Sequence, residues 1–180
     1  MAITFTNIIV GEGTISIGAT EGAAADIGAT QDGAEIAWEP DMVDIEVDQF
    51  GDAARVVTNK IKVSVKTKLA EGTLENLAYS WNYDESAAIS ASGADAQYLM
   101  MAIQPVYPVE KFIKIVGNAP GTYAGYTLLR TYKCWRCIQY SASSHMLKRA
   151  ENTAFPVDFR ILPDPSQTGY EYGQIIDETA

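Results

Sequence analysis

Basic residues, cysteine, histidine and long apolar runs are all scarce in this chain of 180 residues. Thirteen Lys and Arg face twenty-three Asp and Glu, for a net charge of −10. That balance argues against a clamp on nucleic acid, because holding phosphates requires a basic footprint. It suits a soluble protein, or a surface that nucleic acid passes without sticking. Two cysteines are too few for a disulfide framework and fit folding in a reducing cytoplasm. No window approaches the ~20 apolar residues that cross a bilayer, so no membrane insertion is expected. The start, MAITFTNIIVGEG, has neither a basic n-region nor an adequate apolar h-region, so no signal peptide is expected.

Chemistry is equally thin. His145 is the single histidine, and although Ser141, Ser143 and Ser144 lie near it, no GxSxG elbow presents a nucleophile. Gly11-Glu12-Gly13-Thr14 lacks the lysine and following helix of a phosphate loop. Asp44, Glu46 and Asp48 lack the loop glycine of a calcium-binding EF-hand and read instead as one face of a strand. Cys134 and Cys137 with His145 offer three ligands where a structural zinc site takes four. A redox CxxC opens a helix within a βαβ unit. This one lies in a β-like run, where residues i and i+3 are expected on opposite faces. The expectation is no enzyme, no metal and no cofactor.

What the chain does contain is ordinary globular composition, 47% hydrophobic and 20% charged, enough for one domain over 1–180. Strands are expected at 3–10, 14–18, 34–40, 43–48, 57–69, 98–104, 109–116 and 155–162, with Pro40 ending the third, and 126–141 reads as one long strand or two short ones. Gly- and Ala-rich residues 18–33, with the echo IGATEGA and IGATQDGA, read as a flexible loop. Residues 84–97 read as a second loop, 118–125 as a turn cluster, and 163–180 as a C-terminal arm. Such a count predicts a mainly β fold: a two-sheet sandwich or barrel with one helix packed on it.

The stretch 42–81 organises the rest. Val43, Ile45 and Val47 alternate with Asp44, Glu46 and Asp48; after a turn at 49–54, Lys60, Lys62, Lys66 and Lys68 alternate with Ile61, Val63 and Val65. A hairpin folded there is expected to put the acids and the lysines on one polar face. The period then changes. Thr73 is the expected N-cap, and Leu74, Leu77, Ala78 and Trp81 make one stripe of a helix that packs on the sheet.

This same region carries a family resemblance. The segment EIAWEPDMVDIEVDQFGDAARVV, continuing to VKTKLAEGTLENLAYSW, resembles the signature of tail tube (major tail) proteins of long non-contractile phage tails. The GATEGA loop and the ending FPVDFRILPDPS with YGQIID are similar to the same family, whereas 85–125 find no match. The resemblance implies a tail-tube fold assembling as stacked hexameric rings around a channel through which DNA is ejected. It implies itself as partner, together with tape-measure, tail terminator and distal tail proteins, in a virion assembled in the host cytoplasm. DNA would pass without specific binding. On that reading Asp44, Glu46 and Asp48 are expected to face the lumen, Gln49, Phe50, Gly51 and Asp52 to touch the next ring, and Leu74, Leu77 and Trp81 to brace the sheet. The competing expectations are a tube or head–tail component of a contractile machine, and a secreted β-sandwich binding module.

Overall fold

Prolines and turn residues punctuate the sequence into short pieces, yet the observed strands run through several of those breaks. A computed structural model describes residues 11–49, 51–85, 89–92, 96–101, 103, 107–123, 126–147, 149 and 152–179. In order come β1 (Thr14–Gly18), a 3-10 turn (Glu21–Ala23), β2 (Ala25–Asp26), β3 (Thr30–Ile45), β4 (Arg55–Leu69) and α1 (Leu74–Ser80). Then follow β5 (Ile89–Ser92), β6 (Ala96–Leu99), β7 (Lys111–Tyr123), β8 (Tyr126–Gln139), β9 (Phe155–Leu162) and β10 (Gly173–Asp177). The chain is mainly β, with one α-helix among the described residues. The strand expected at 3–10 lies outside them.

Eight strands form one antiparallel sheet in the order β2-β1-β7-β8-β9-β4-β3, with β10 added beside the first half of β8; β5 and β6 form a separate pair. Strand β8 is the hinge of this topology. Its residues 130–134 pair with β10, and its residues 136–139 pair with β9. The sheet therefore divides there and curls over. Trp38 of β3 meets Tyr172, just before β10, edge to face at 6.0 Å. Between them lies a cleft of about 570 Å3, lined by Ile36, Trp38 and Val63 on one side and Ile115, Tyr132 and Ile175 on the other.

The core follows from period-2 alternation. In β9, Phe155, Val157, Phe159 and Ile161 are all buried while the residues between them are half-exposed. Val63, Val65 and Leu69 of β4, Ile113 and Ile115 of β7, and Ile15 and Ile17 of β1 complete the same cluster. Burial of such side chains contributes roughly 1.5–3 kcal/mol each.

Four expectations about strand ends are corrected. Strand β3 does not stop at Pro40; it continues to Ile45 with Pro40 opposite Ile61. It is an edge strand, and there a proline can place its missing donor on the open side. The turn expected at 118–125 is strand as far as Tyr123, because two unmatched residues of β7 between Asn118 and Thr122 absorb the Pro120-Gly121 pair, with Gly121 at φ +96°. The loop expected at 84–97 contains β5 and the first two residues of β6, and among the described residues of the strand expected at 98–104 only Tyr98 and Leu99 are strand. The C-terminal arm is partly a strand. β10 pairs with β8, and Asp177 accepts two bonds from Arg130, at 2.5 and 2.6 Å. That guanidinium holds the Asp177 carboxyl below the usual carboxylate range.

The loop expected at 18–33 is likewise tied into the fold. Ile27 is buried in the core, and the backbone N–H of Ala29 donates to Glu71 Oε1 at 2.8 Å. Gly28 is at φ +79°, the left-handed region that favours glycine, and a Cβ there would displace the Glu71 carboxylate from this contact. Asn76, only 2% exposed, ties this loop to the helix: its Nδ2 donates to the carbonyls of Ile27 and Glu71, both at 3.0 Å.

Helix α1 begins where expected, with Thr73 Oγ1 accepting from the Asn76 N–H at 3.1 Å. Its buried face is different. Asn76, Ala78, Tyr79 and Ser80 are buried, whereas Leu74, Leu77 and Trp81 are half-buried. Leu77 packs against the core cluster, and Trp81 stacks on His145 at 5.9 Å. The stripe is turned because the buried Asn76 amide is used to bond two carbonyls, so a polar residue occupies the inward position.

Candidate functional site

A two-stranded hairpin that leaves the body of its sheet must expose both faces. Among the described residues β3 has β4 as its only neighbour, and β4 pairs with β9 only over Val63–Leu69, so no described strand lies beside the hairpin from Ile61 outward. Every residue from Glu39 to Gln49 is exposed. The exposed set is unusually apolar: Trp38 and Met42 are 58% exposed and Val56 is 53% exposed, with Val43, Ile45 and Val47 also open. By alternation Met42 lies on one face, and Val43 and Ile45 lie on the other. A lone hairpin is marginal in water, and apolar patches of this kind mark contact surfaces.

The charged pattern differs from the expected single face of acids against lysines. The lysines oppose the carboxylates upstream: Glu39 lies across from Lys62, Asp41 from Lys60 and Glu35 from Lys66. Glu39 and Lys62 make an ion pair at 3.4 Å, and Asp32 and Lys68 make one at 2.7 Å. Exposed pairs of this kind contribute about 0–1 kcal/mol and mainly fix register. A bulge then intervenes: Asp41 faces Lys60 but Met42 faces Thr58, which leaves Asn59 unmatched. Asn59 Nδ2 donates to Asp41 Oδ2 at 3.1 Å.

Beyond the bulge Asp44 faces Val56, and alternation places it opposite in sense to Glu39 and Asp41. The strand ends at Ile45, so Glu46 and Asp48 are past it. Asp44, Glu46 and Asp48 therefore do not form one face of a strand. They sit with Asp52 at the outer end of the hairpin, all four exposed. The tip is closed by the Ala54 N–H donating to the Ile45 carbonyl at 2.9 Å. Gln49, Gly51 and Asp52 are in this tip and exposed, while Phe50 lies outside the described residues. No protein-family model matches this chain, and no curated protein matches it.

The residues weighed for catalysis have structural partners instead. His145 lies against Phe155 edge to face at 4.8 Å as well as against Trp81, and the Ser143 hydroxyl donates to the Pro156 carbonyl at 2.8 Å. Lys111 is buried under the helix, paired with Glu85 and, at 3.8 Å, with Asp84, below the Tyr79 ring. Burial and the neighbouring Glu85 push the Tyr79 hydroxyl far above its ordinary pKa. Among the described residues no group of three or more His, Cys, Asp or Glu could hold a metal ion.

The cysteines overturn an expectation. Cys134 faces Ile113 and Cys137 faces Lys111, so β8 takes three residues where β7 takes two. This bulge puts both thiols on the core side rather than on opposite faces, and both are buried. Cys137 Sγ donates to the Cys134 carbonyl at 3.6 Å. Burial pushes the Cys137 thiol up, which starves it of reactive thiolate. With a water-soluble aromatic disulfide at neutral pH, both thiols should label only on global unfolding. Rapid native labelling of either would contradict this burial.

Proposed function

We propose that this chain is the subunit of a tube: a virion structural protein of a long non-contractile phage tail, polymerising as stacked hexameric rings through which DNA is ejected. One observation carries the reading. The β3–β4 hairpin projects an apolar and acidic end that packs on no other described part of its own chain, as a connector between copies would. The signature resemblance at 35–81 suggests the family, and the β-rich fold with its apolar core suits a structural part. In this reading the two halves of the curled sheet form the two layers of the tube wall. The tip residues Gln49, Gly51 and Asp52 reach the adjacent ring. A tape-measure protein would occupy the lumen, with terminator and distal tail proteins at the two ends.

Charge supports the channel role and opposes assembly at once. Six copies at −10 each carry −60 per ring, which keeps phosphates from adhering to the wall. Contacts between copies must overcome that repulsion with apolar area and backbone pairing, and the open edge of β3 offers both. Screening falls to a length of about 8 Å at physiological salt, so polymerisation is expected to rise with ionic strength. Sedimentation of concentrated protein from 20 to 500 mM NaCl tests this: a growing fast-sedimenting fraction is expected. A chain that stays monomeric at every salt and concentration would refute the reading.

A further inference from the structure

We propose that the outer end of the β3–β4 hairpin docks onto the exposed Met146, Leu147 and Arg149 of a second copy of the chain, head to tail. The inference rests on the reading that copies stack, and it names the surface that receives the tip. Strand registers fix where the two surfaces lie. β4 runs from the tip at Arg55 to Leu69, and Leu69 pairs with Phe155 at the start of β9. The segment between β8 and β9 therefore emerges at the end of the molecule remote from the tip. Asn152 Nδ2 donates to the Ala70 carbonyl there, at 3.4 Å. At ~3.3 Å per residue, the fifteen residues of β4 separate the two ends by about 45 Å.

The remote loop is the tip's chemical complement. Met146 is 68% exposed and Leu147 is 82% exposed, a pair of large apolar side chains presented to solvent with exposed Arg149 beside them. Among the described residues no carboxylate pairs with Arg149. The tip offers Val43, Ile45 and Val47 for the apolar contact and Asp44, Glu46 and Asp48 for the guanidinium. Tip-to-tip contact would bring carboxylates against carboxylates, so a symmetric pair is disfavoured. A head-to-tail contact leaves one free tip and one free loop at the ends of every pair, and so it propagates. Each step advances by about the length of the hairpin strand.

Two exposed single-cysteine substitutions read this contact directly. Val47→Cys protein mixed with Leu147→Cys protein, under copper-phenanthroline oxidation, should give a disulfide-linked dimer on a non-reducing gel. Neither variant alone should cross-link, because Cys134 and Cys137 are buried. A chain carrying both substitutions should give a ladder. Arg149→Glu should lower the assembled fraction at least tenfold, and Asp48→Arg added to it should restore assembly. If wild-type protein assembles yet the mixture does not cross-link, the docking is wrong and the stacking stands. Cross-linking of Val47→Cys with itself would also overturn it. A wild-type chain that never assembles overturns both the stacking and the docking.

Discussion

Replacing Asn76 by alanine is expected to cost about 2–4 kcal/mol of folding stability, far more than its place on a short, partly exposed helix suggests. The amide is 2% exposed and donates to two carbonyls, those of Ile27 and Glu71. Truncation leaves both acceptors without that donor in a buried setting, at about 1–3 kcal/mol each, and opens a small cavity. For a chain of this length about 2–4 °C of Tm accompanies each kcal/mol, so a fall of about 5–15 °C is expected by calorimetry. Thr73→Ala removes only the cap and should cost about 1 kcal/mol. Asn76→Asp is the sharper control. It keeps the shape but aims a carboxylate at two carbonyls, and should be at least as harmful as alanine. If Asn76→Ala loses no more than Thr73→Ala, the link between the 27–29 loop and the helix is not what holds this corner.

Shortening the hairpin is expected to give the opposite outcome: little effect on folding and a large one on assembly. Ile45 and Arg55 are cross-strand partners, so residues 46–54 can be replaced by Asn-Gly, which closes a two-residue hairpin turn. None of the described residues in the excised tip belongs to the core cluster. Thermal stability should stay within a few degrees, because exposed loop changes are usually within about 0.5 kcal/mol. The assembled fraction, read by sedimentation, should fall at least tenfold. A large loss of Tm would mean that the tip packs on its own chain. Unchanged assembly would remove the hairpin from the contact between copies.

The two predictions divide along the line between what the sequence displays and what it hides. Strand content, the Thr73 cap and the long β4 alternation were readable because each depends on near neighbours in sequence. The turned helix face was not. Asn76 reads as a solvent-facing polar residue until the Ile27 carbonyl, forty-nine positions away, is brought to it. Pro40 reads as a strand end because sequence does not say that β3 lies at the sheet edge, where proline is tolerated. Bulges did the most damage to register. The unmatched Asn59 shifts the register by one, so that Lys60 and Lys62 face Asp41 and Glu39 instead of Pro40 and Trp38, and the extra residue in β8 turns both cysteines inward. A one-residue slip inverts every face beyond it, and no local signal marks where it falls. The exposed apolar end of the hairpin was hidden for a related reason. Val43, Ile45 and Val47 alternate like a half-buried strand, but nothing in that pattern says whether the facing layer belongs to the same chain or to another.

The central claim is that the missing layer is another copy of this protein. Negative-stain electron microscopy of purified wild-type chain, concentrated at physiological salt, tests it most directly. The account predicts rings with six-fold averages and hollow tubes built by stacking them. A field of single particles of about 20 kDa, unchanged at the highest concentration and salt, would contradict it.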